Sequence, residues 1–283
     1  MSDIDSLPPL RLPEGFHFSQ TNLQDYRECP RRFKLRYMLG LAWPAIESEP
    51  ALEREQFLER GSRFHRLAQQ ILAGVPPAAA LQTAREPRLR EWLENFIEFA
   101  ERQGLTAQPW YRAEIGLSAP LGKFRLGAKY DLLARNRRGE FTIFDWKTSE
   151  QPPNRRRLQE SMQTRVYPYL LAKAGAALDD GKPVEPERIE LTYWFASYPD
   201  EAARFPYSRV QLAQDEAFLS DLIEEIAGLE DFLLTVDERR CAFCADRSLC
   251  NRGEQAGLLD ELDEEPGALD LGFDFDQIAE IEF

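Results

Sequence analysis

Several features are missing from this sequence, and each absence narrows the field. No stretch approaches the ~20 consecutive apolar residues of a membrane-spanning helix, so no membrane association is expected. The first ten residues, MSDIDSLPPL, lack the basic start and apolar run of a secretory signal. A cytoplasmic protein is expected. There is no internal repeat and no helicase motif. Basic residues stop at Arg252: residues 253–283 hold eleven Asp or Glu and no Lys or Arg. Taking those eleven charges from the net −14 leaves −3 for residues 1–252. The acidic total therefore does not exclude a nucleic-acid partner, because the distribution of charge matters more than its sum. Basic clusters mark that near-neutral body: Arg27, Arg31, Arg32, Lys34 and Arg36; Arg85, Arg88 and Arg90; Arg135, Arg137 and Arg138; Arg155, Arg156 and Arg157.

Cysteine is scarce but concentrated. Of four cysteines, Cys241, Cys244 and Cys250 lie in CAFCADRSLC, and Cys29 stands 212 residues before Cys241 in ECPRRF. A cytosolic protein rarely uses disulfides, so closely spaced thiols suggest a metal site. Four thiolates with none to spare fit one tetrathiolate site, holding zinc or an iron–sulfur cluster. Such a site would join the two ends of the domain.

The 283 residues suffice for one large domain. Residues 1–18 are Pro-rich and expected to be extended. Ser19 or Thr21 can cap a helix running to about Leu39. Helices are expected over about Ala51–Ala73, with Phe57, Gly61, Phe64, Ala68 and Ile71 as apolar stripe, and over Pro87–Arg102. His65 lies at the edge of the first stripe, one turn from Gly61. Strands are expected over Trp110–Leu117, Phe124–Arg135 and Phe141–Thr148, then a helix over Leu158–Ala174 and a strand over Arg188–Phe195. A short strand near Tyr207–Leu212 and a helix over Asp215–Val236 follow. This order predicts an α/β fold. The stretch 253–283 has the composition of a disordered, solubilising tail. The sharper alternatives are a docking peptide for a partner protein or an acidic occupant of a basic cleft.

The segment RLGAKYDLLARNRRGEFTIFDWKT, Arg125 to Thr148, reads as a hairpin. Alternation points Leu126, Ala128, Tyr130, Leu132 and Ala134 to a core and Asp131 away from it. Asp145 and Lys147 are two apart, so they share a face with ~7 Å between Cα atoms. Gly139 suits the positive φ of a short loop. A turn centred on Arg138 then sets Asp131 opposite Asp145. Two facing carboxylates repel unless something neutralises them, and a hard divalent cation such as magnesium would do so. The alternative is a solvated hairpin face. Glu114 is either a further acid near the cleft or a surface residue. Phe144 and Trp146 point opposite to Asp145, into the core.

These stretches resemble the PD-(D/E)XK nuclease superfamily, and within it the RecB-type branch. GSRFH at Gly61–His65 looks like that branch's GxxxH, GAKYD at Gly127–Asp131 like its first acidic motif, DWK at Asp145–Lys147 like its (D/E)xK, and QTRVY at Gln163–Tyr167 like its QxxxY. Cys29 with C-x2-C-x5-C resembles the cage of the iron–sulfur members, such as the AddB-type and CRISPR-adaptation nucleases. The resemblance covers about residues 19–252. It implies a restriction-endonuclease-like αβββαβ core with added helices, and metal-dependent cleavage of DNA, usually at single-stranded ends. It implies that His65, Asp131, Asp145 and the backbone carbonyl of Trp146 bind magnesium or manganese, and that Lys147 orients or activates the attacking water. Gln163 and Tyr167 would position the strand, with Arg155 and Arg156 as further phosphate contacts. Cys29, Cys241, Cys244 and Cys250 would hold a 4Fe–4S cluster, with zinc as the alternative. A helicase or recombination protein is a candidate partner, which the acidic tail would reach if it is a docking peptide. Two other functions stay open on the residues alone: a non-catalytic DNA-end-binding subunit and a zinc-stapled interaction protein.

Overall fold

The structure, a computed structural model, describes residues 11–41 and 49–252. The first ten residues and the acidic tail 253–283 lie outside the described residues. A short strand β1 (His17–Ser19) leads into helix α1 (Gln20–Glu28). Ser19 is the N-cap: its hydroxyl accepts the Asn22 N–H, and Asn22 returns the bond to the Ser19 N–H. The helix does not run on to Leu39. Cys29 is extended, at φ −159°, because a residue before proline is disfavoured in the helical region. After this break come α2 (Pro30–Phe33) and a π-helical turn, Lys34–Met38.

Three helices follow: α3 (Glu49–Leu72), α4 (Pro77–Thr83) and α5 (Pro87–Arg102). Then come strands β2 (Trp110–Leu121), β3 (Phe124–Arg135) and β4 (Phe141–Lys147), helices α6 (Arg155–Glu160) and α7 (Met162–Ala174), strands β5 (Ile189–Phe195) and β6 (Tyr198–Pro206), and helix α8 (Arg209–Gly228). The second strand after α7 is thus Tyr198–Pro206, not Tyr207–Leu212. Tyr207 and Ser208 instead lead into α8, where Ser208 accepts the Gln211 N–H. The helix stops at Gly228, short of Val236.

The sheet runs β1-β3-β4-β5-β6, with β2 on the other edge of β3. β3 and β4 are antiparallel, β4 and β5 parallel. One core lies under α1, α7 and α8 and includes Phe33, Tyr130, Val166, Tyr193 and Phe232. The other lies under α3 and α5 and includes Phe64, Trp92, Phe96, Trp146 and Trp194. Each such side chain contributes roughly 1.5–3 kcal/mol by leaving water.

Alternation along β3 is not uniform. Leu126, Ala128 and Tyr130 face the first core, but Leu132 and Ala134 face the second, and odd-numbered Leu133 joins the first. β2 switches in the same way between Ile115 and Ala113. The pleat breaks where Glu114 and Asp131 oppose one another, and Glu114 takes φ +56°, unusual for a non-glycine residue. The even-numbered set expected to face one core therefore divides between two.

Candidate active site

The hairpin closes on Asn136, whose side chain accepts the N–H groups of Arg138 and Glu140, with Gly139 at φ +77°. Pairs Leu132↔Phe144 and Leu133↔Ile143 follow the register expected from a turn centred on Arg138. The ladder ends at Leu132↔Phe144. Beyond it the strands part, and Asp131 and Asp145 stand on either side of the opening.

Side chains satisfy the backbone groups that the parting frees. The Trp146 N–H donates to Asp131 Oδ2 at 2.7 Å, and the Tyr167 hydroxyl donates to the Lys129 carbonyl at 3.0 Å. Trp146 and Phe144 lie in the second core, as expected.

α3 brings His65 to the opening. A Cβ on Gly61 would stand 3.1 Å from Thr148 Oγ1, just past the end of β4. Glycine at 61 thus lets the helix close on the strand, and the imidazole one turn later reaches Asp131 Oδ1 at 3.1 Å. Burial pushes the imidazole pKa down, but Asp131, with Asp145 and Glu114 behind it, raises it to about 9. His65 is therefore an imidazolium that donates to Asp131. Burial works to raise Asp131, yet the charge and hydrogen bond of His65 hold it below the usual carboxylate range.

α7 closes the other side. Asp145 is 4% exposed. Its Oδ1 accepts Gln163 Nε2 at 2.6 Å, and its Oδ2 lies 2.9 Å from Lys147 Nζ. Gln163 Oε1 accepts from Lys147 at 2.8 Å, and its amide also donates to the Tyr167 hydroxyl at 2.9 Å. Gln163 thus bridges the carboxylate and the ammonium, and Tyr167, one turn on, fixes Gln163. Burial first, then repulsion from Asp131, pushes the Asp145 carboxyl up to about 6 against the pull of Lys147. Its Oδ2 receives no aligned hydrogen bond among the described residues. A buried carboxylate that faces a second carboxylate across the parted strands suits a cation.

Glu114 belongs to the cleft rather than the open surface. It pairs with Lys129. Burial, then the nearby Asp131, raises its pKa. Arg155 donates to the Arg204 carbonyl and lies 4.6 Å over the Phe205 ring. Arg156 is exposed and pairs with Glu160.

Cys29, Cys241, Cys244 and Cys250 are free thiols that line one cavity with Arg32, Asp246 and Arg247. Burial first, then Cys244 and Cys29, pushes the Cys250 thiol up to about 12. The break at Cys29 brings this thiol into the same cavity as the other three. Arg36 joins Asp25 to Asp246 at 3.0 and 2.9 Å, and the Arg31 N–H donates to the Leu233 carbonyl. Among the described residues, however, no three His, Cys, Asp or Glu side chains are grouped closely enough to hold a metal ion. This applies to the cysteines and to His65, Asp131 and Asp145.

The family model of the PD-(D/E)XK nuclease superfamily matches residues 17–251. The central mixed sheet, with helices on both faces, is consistent with the restriction-endonuclease-like arrangement of that superfamily. A candidate exonuclease from Eubacterium rectale is similar at a TM-score of 0.50 and 10% identity, over 79% of this chain and 87% of that one. The protein SSO0001 is similar over 85% of this chain and 88% of its own, at 15% identity and a TM-score of 0.40. No curated protein matches the chain significantly.

Proposed function

The chain belongs to the PD-(D/E)XK nuclease superfamily, and from that premise we propose that residues 19–252 form a metal-dependent deoxyribonuclease domain acting on single-stranded DNA or DNA ends. The observation that carries this reading is the pair of carboxylates at the parted strands, with Lys147 and Gln163 held against one of them. Asp131, Asp145, His65 and the Trp146 carbonyl would hold magnesium or manganese. That ion would lower the pKa of bound water and polarise the phosphoryl oxygen.

The protein's own groups account for the rest. Lys147 offers an ammonium to the attacking oxygen and to the charge that builds on phosphorus. Gln163 keeps that ammonium at Asp145, and Tyr167 keeps Gln163 in place. His65 carries its proton against Asp131, with Asp145 and Glu114 behind it, and would have to give it up to serve as a ligand. Arg155 and Arg156, beyond the end of β4, would contact backbone phosphates.

The four cysteines would hold a 4Fe–4S cluster, with zinc as the alternative; four thiols, two of them buried, lining one cavity beside arginines suit either. The setting we propose is DNA-end processing in recombination repair or CRISPR-type defence, with a helicase or recombination protein as partner.

The test is cleavage of end-labelled single-stranded DNA with magnesium or manganese, comparing the parent with Asp145→Ala. The parent cuts and the variant does not. If neither cuts while both bind DNA, the domain is a binding subunit instead.

A further inference from the structure

Tyr193 has no part in the set described so far, yet it lies directly against it. It is fully buried on β5, beside Asp145 in the parallel ladder. Lys147 Nζ lies 5.4 Å from the centroid of its ring. Phe205 of β6 packs edge-on against the same ring at 5.8 Å and 81°. At the tip, the Tyr193 hydroxyl is 2.8 Å from Thr164 Oγ1. Thr164 spends its own hydrogen on the Leu158 carbonyl, so Tyr193 is the donor. The ring is thus braced by β6 at its side and tied at its tip to the first turn of α7, next to Gln163.

A lysine ammonium on a four-carbon stem reaches many positions. Here Asp145 and Gln163 hold it from one direction each. An aromatic face attracts a cation most strongly when both are out of water, and Lys147 is largely buried, its side chain 16% exposed. We propose that Tyr193 is a positioning residue for the cleavage reaction, its ring face seating the Lys147 ammonium between Asp145 and Gln163. Because it concerns how Lys147 is held for catalysis, the inference rests on the nuclease reading above.

The test keeps the shape of the ring and changes only its electrons. Tyr193→Phe is prepared first, then proteins carrying phenylalanines of increasing fluorination at position 193. Fluorine drains the negative potential from the ring face and leaves the packing nearly unchanged. The kcat on end-labelled single-stranded DNA falls stepwise, by about tenfold over the series. KM for the DNA and the unfolding midpoint stay near those of Tyr193→Phe. A role in packing alone would give a flat series, and a flat kcat overturns the inference. So does a loss confined to KM. Parent and Asp145→Ala are run beside the series. A parent that cuts with a flat series removes this inference only. A parent that does not cut removes the nuclease reading and this inference with it.

Discussion

At the scale of single residues, proton occupancy links the site to stability. The Asp145 carboxyl stands near 6 against an ordinary 3.8, so the folded protein keeps this proton to higher pH than the unfolded chain. Its contribution is full below about 3.8 and is lost as pH rises through 6. His65 stands near 9 against 6.5, so its contribution is full below 6.5 and is lost as pH rises through 9. Both slopes have the same sign. With a chelator present, the urea midpoint should therefore fall from pH 4 to pH 9, and His65→Gln should flatten the upper part. A midpoint that rises over this window would exclude these ionisation states. The residues of the site were largely legible in the sequence, because short motifs name residue types. Tyr193 was not. Its share in the site depends on the parallel pairing that sets it beside Asp145, and no spacing within β5 reveals that.

At the scale of elements, the close approach of α3 to β4 can be tested at Gly61. In a helix interior alanine is favoured over glycine by ~1 kcal/mol, so propensity alone makes Gly61→Ala a stabilising change. The contact with Thr148 opposes it, since the added Cβ would lie 3.1 Å from a hydroxyl. Moving α3 moves His65, and misplacement of a site group by about 1 Å costs on the order of 100-fold in rate. We expect Gly61→Ala to lose about that much cleavage while unfolding near the parent temperature. Parent-level cleavage with a raised midpoint would mean the close approach has no role. Strands β2 to β5 and helices α3, α5, α7 and α8 could be read from periodicity. The end of α1 could not, because the helical pattern runs past Pro30, whereas the residue before a proline is held out of the helical region. β6 was missed because YPDEAARFP carries two prolines and little alternation; such strands belong at sheet edges. The switch at Asp131 left no trace, since β3 is covered on both faces and apolar residues continue through it.

At the scale of the whole molecule, the cysteine cavity ties residues 29–36 to residues 233–250. Linking Cys29 to Cys241 closes a loop of 212 residues, worth on the order of 5 kcal/mol in the chain-entropy view. If the thiols share a metal, Cys250→Ser or removal of that metal should therefore lower the urea midpoint of the entire domain. Coincident midpoints would show that the cavity pins nothing. Visible absorbance of anaerobically purified protein separates iron–sulfur from zinc, which is colourless. The same arrangement imposes an order of events during synthesis. At roughly 5–20 residues per second, Cys29 waits about 10–40 s on the ribosome before Cys241 is made. Phe33 waits almost as long for Phe232, the ring it stacks on in the finished domain at 5.9 Å. The first segment of the domain to be translated is thus among the last to be packed, and throughout that interval it presents a thiol and aromatic rings to whatever else is present in the cell.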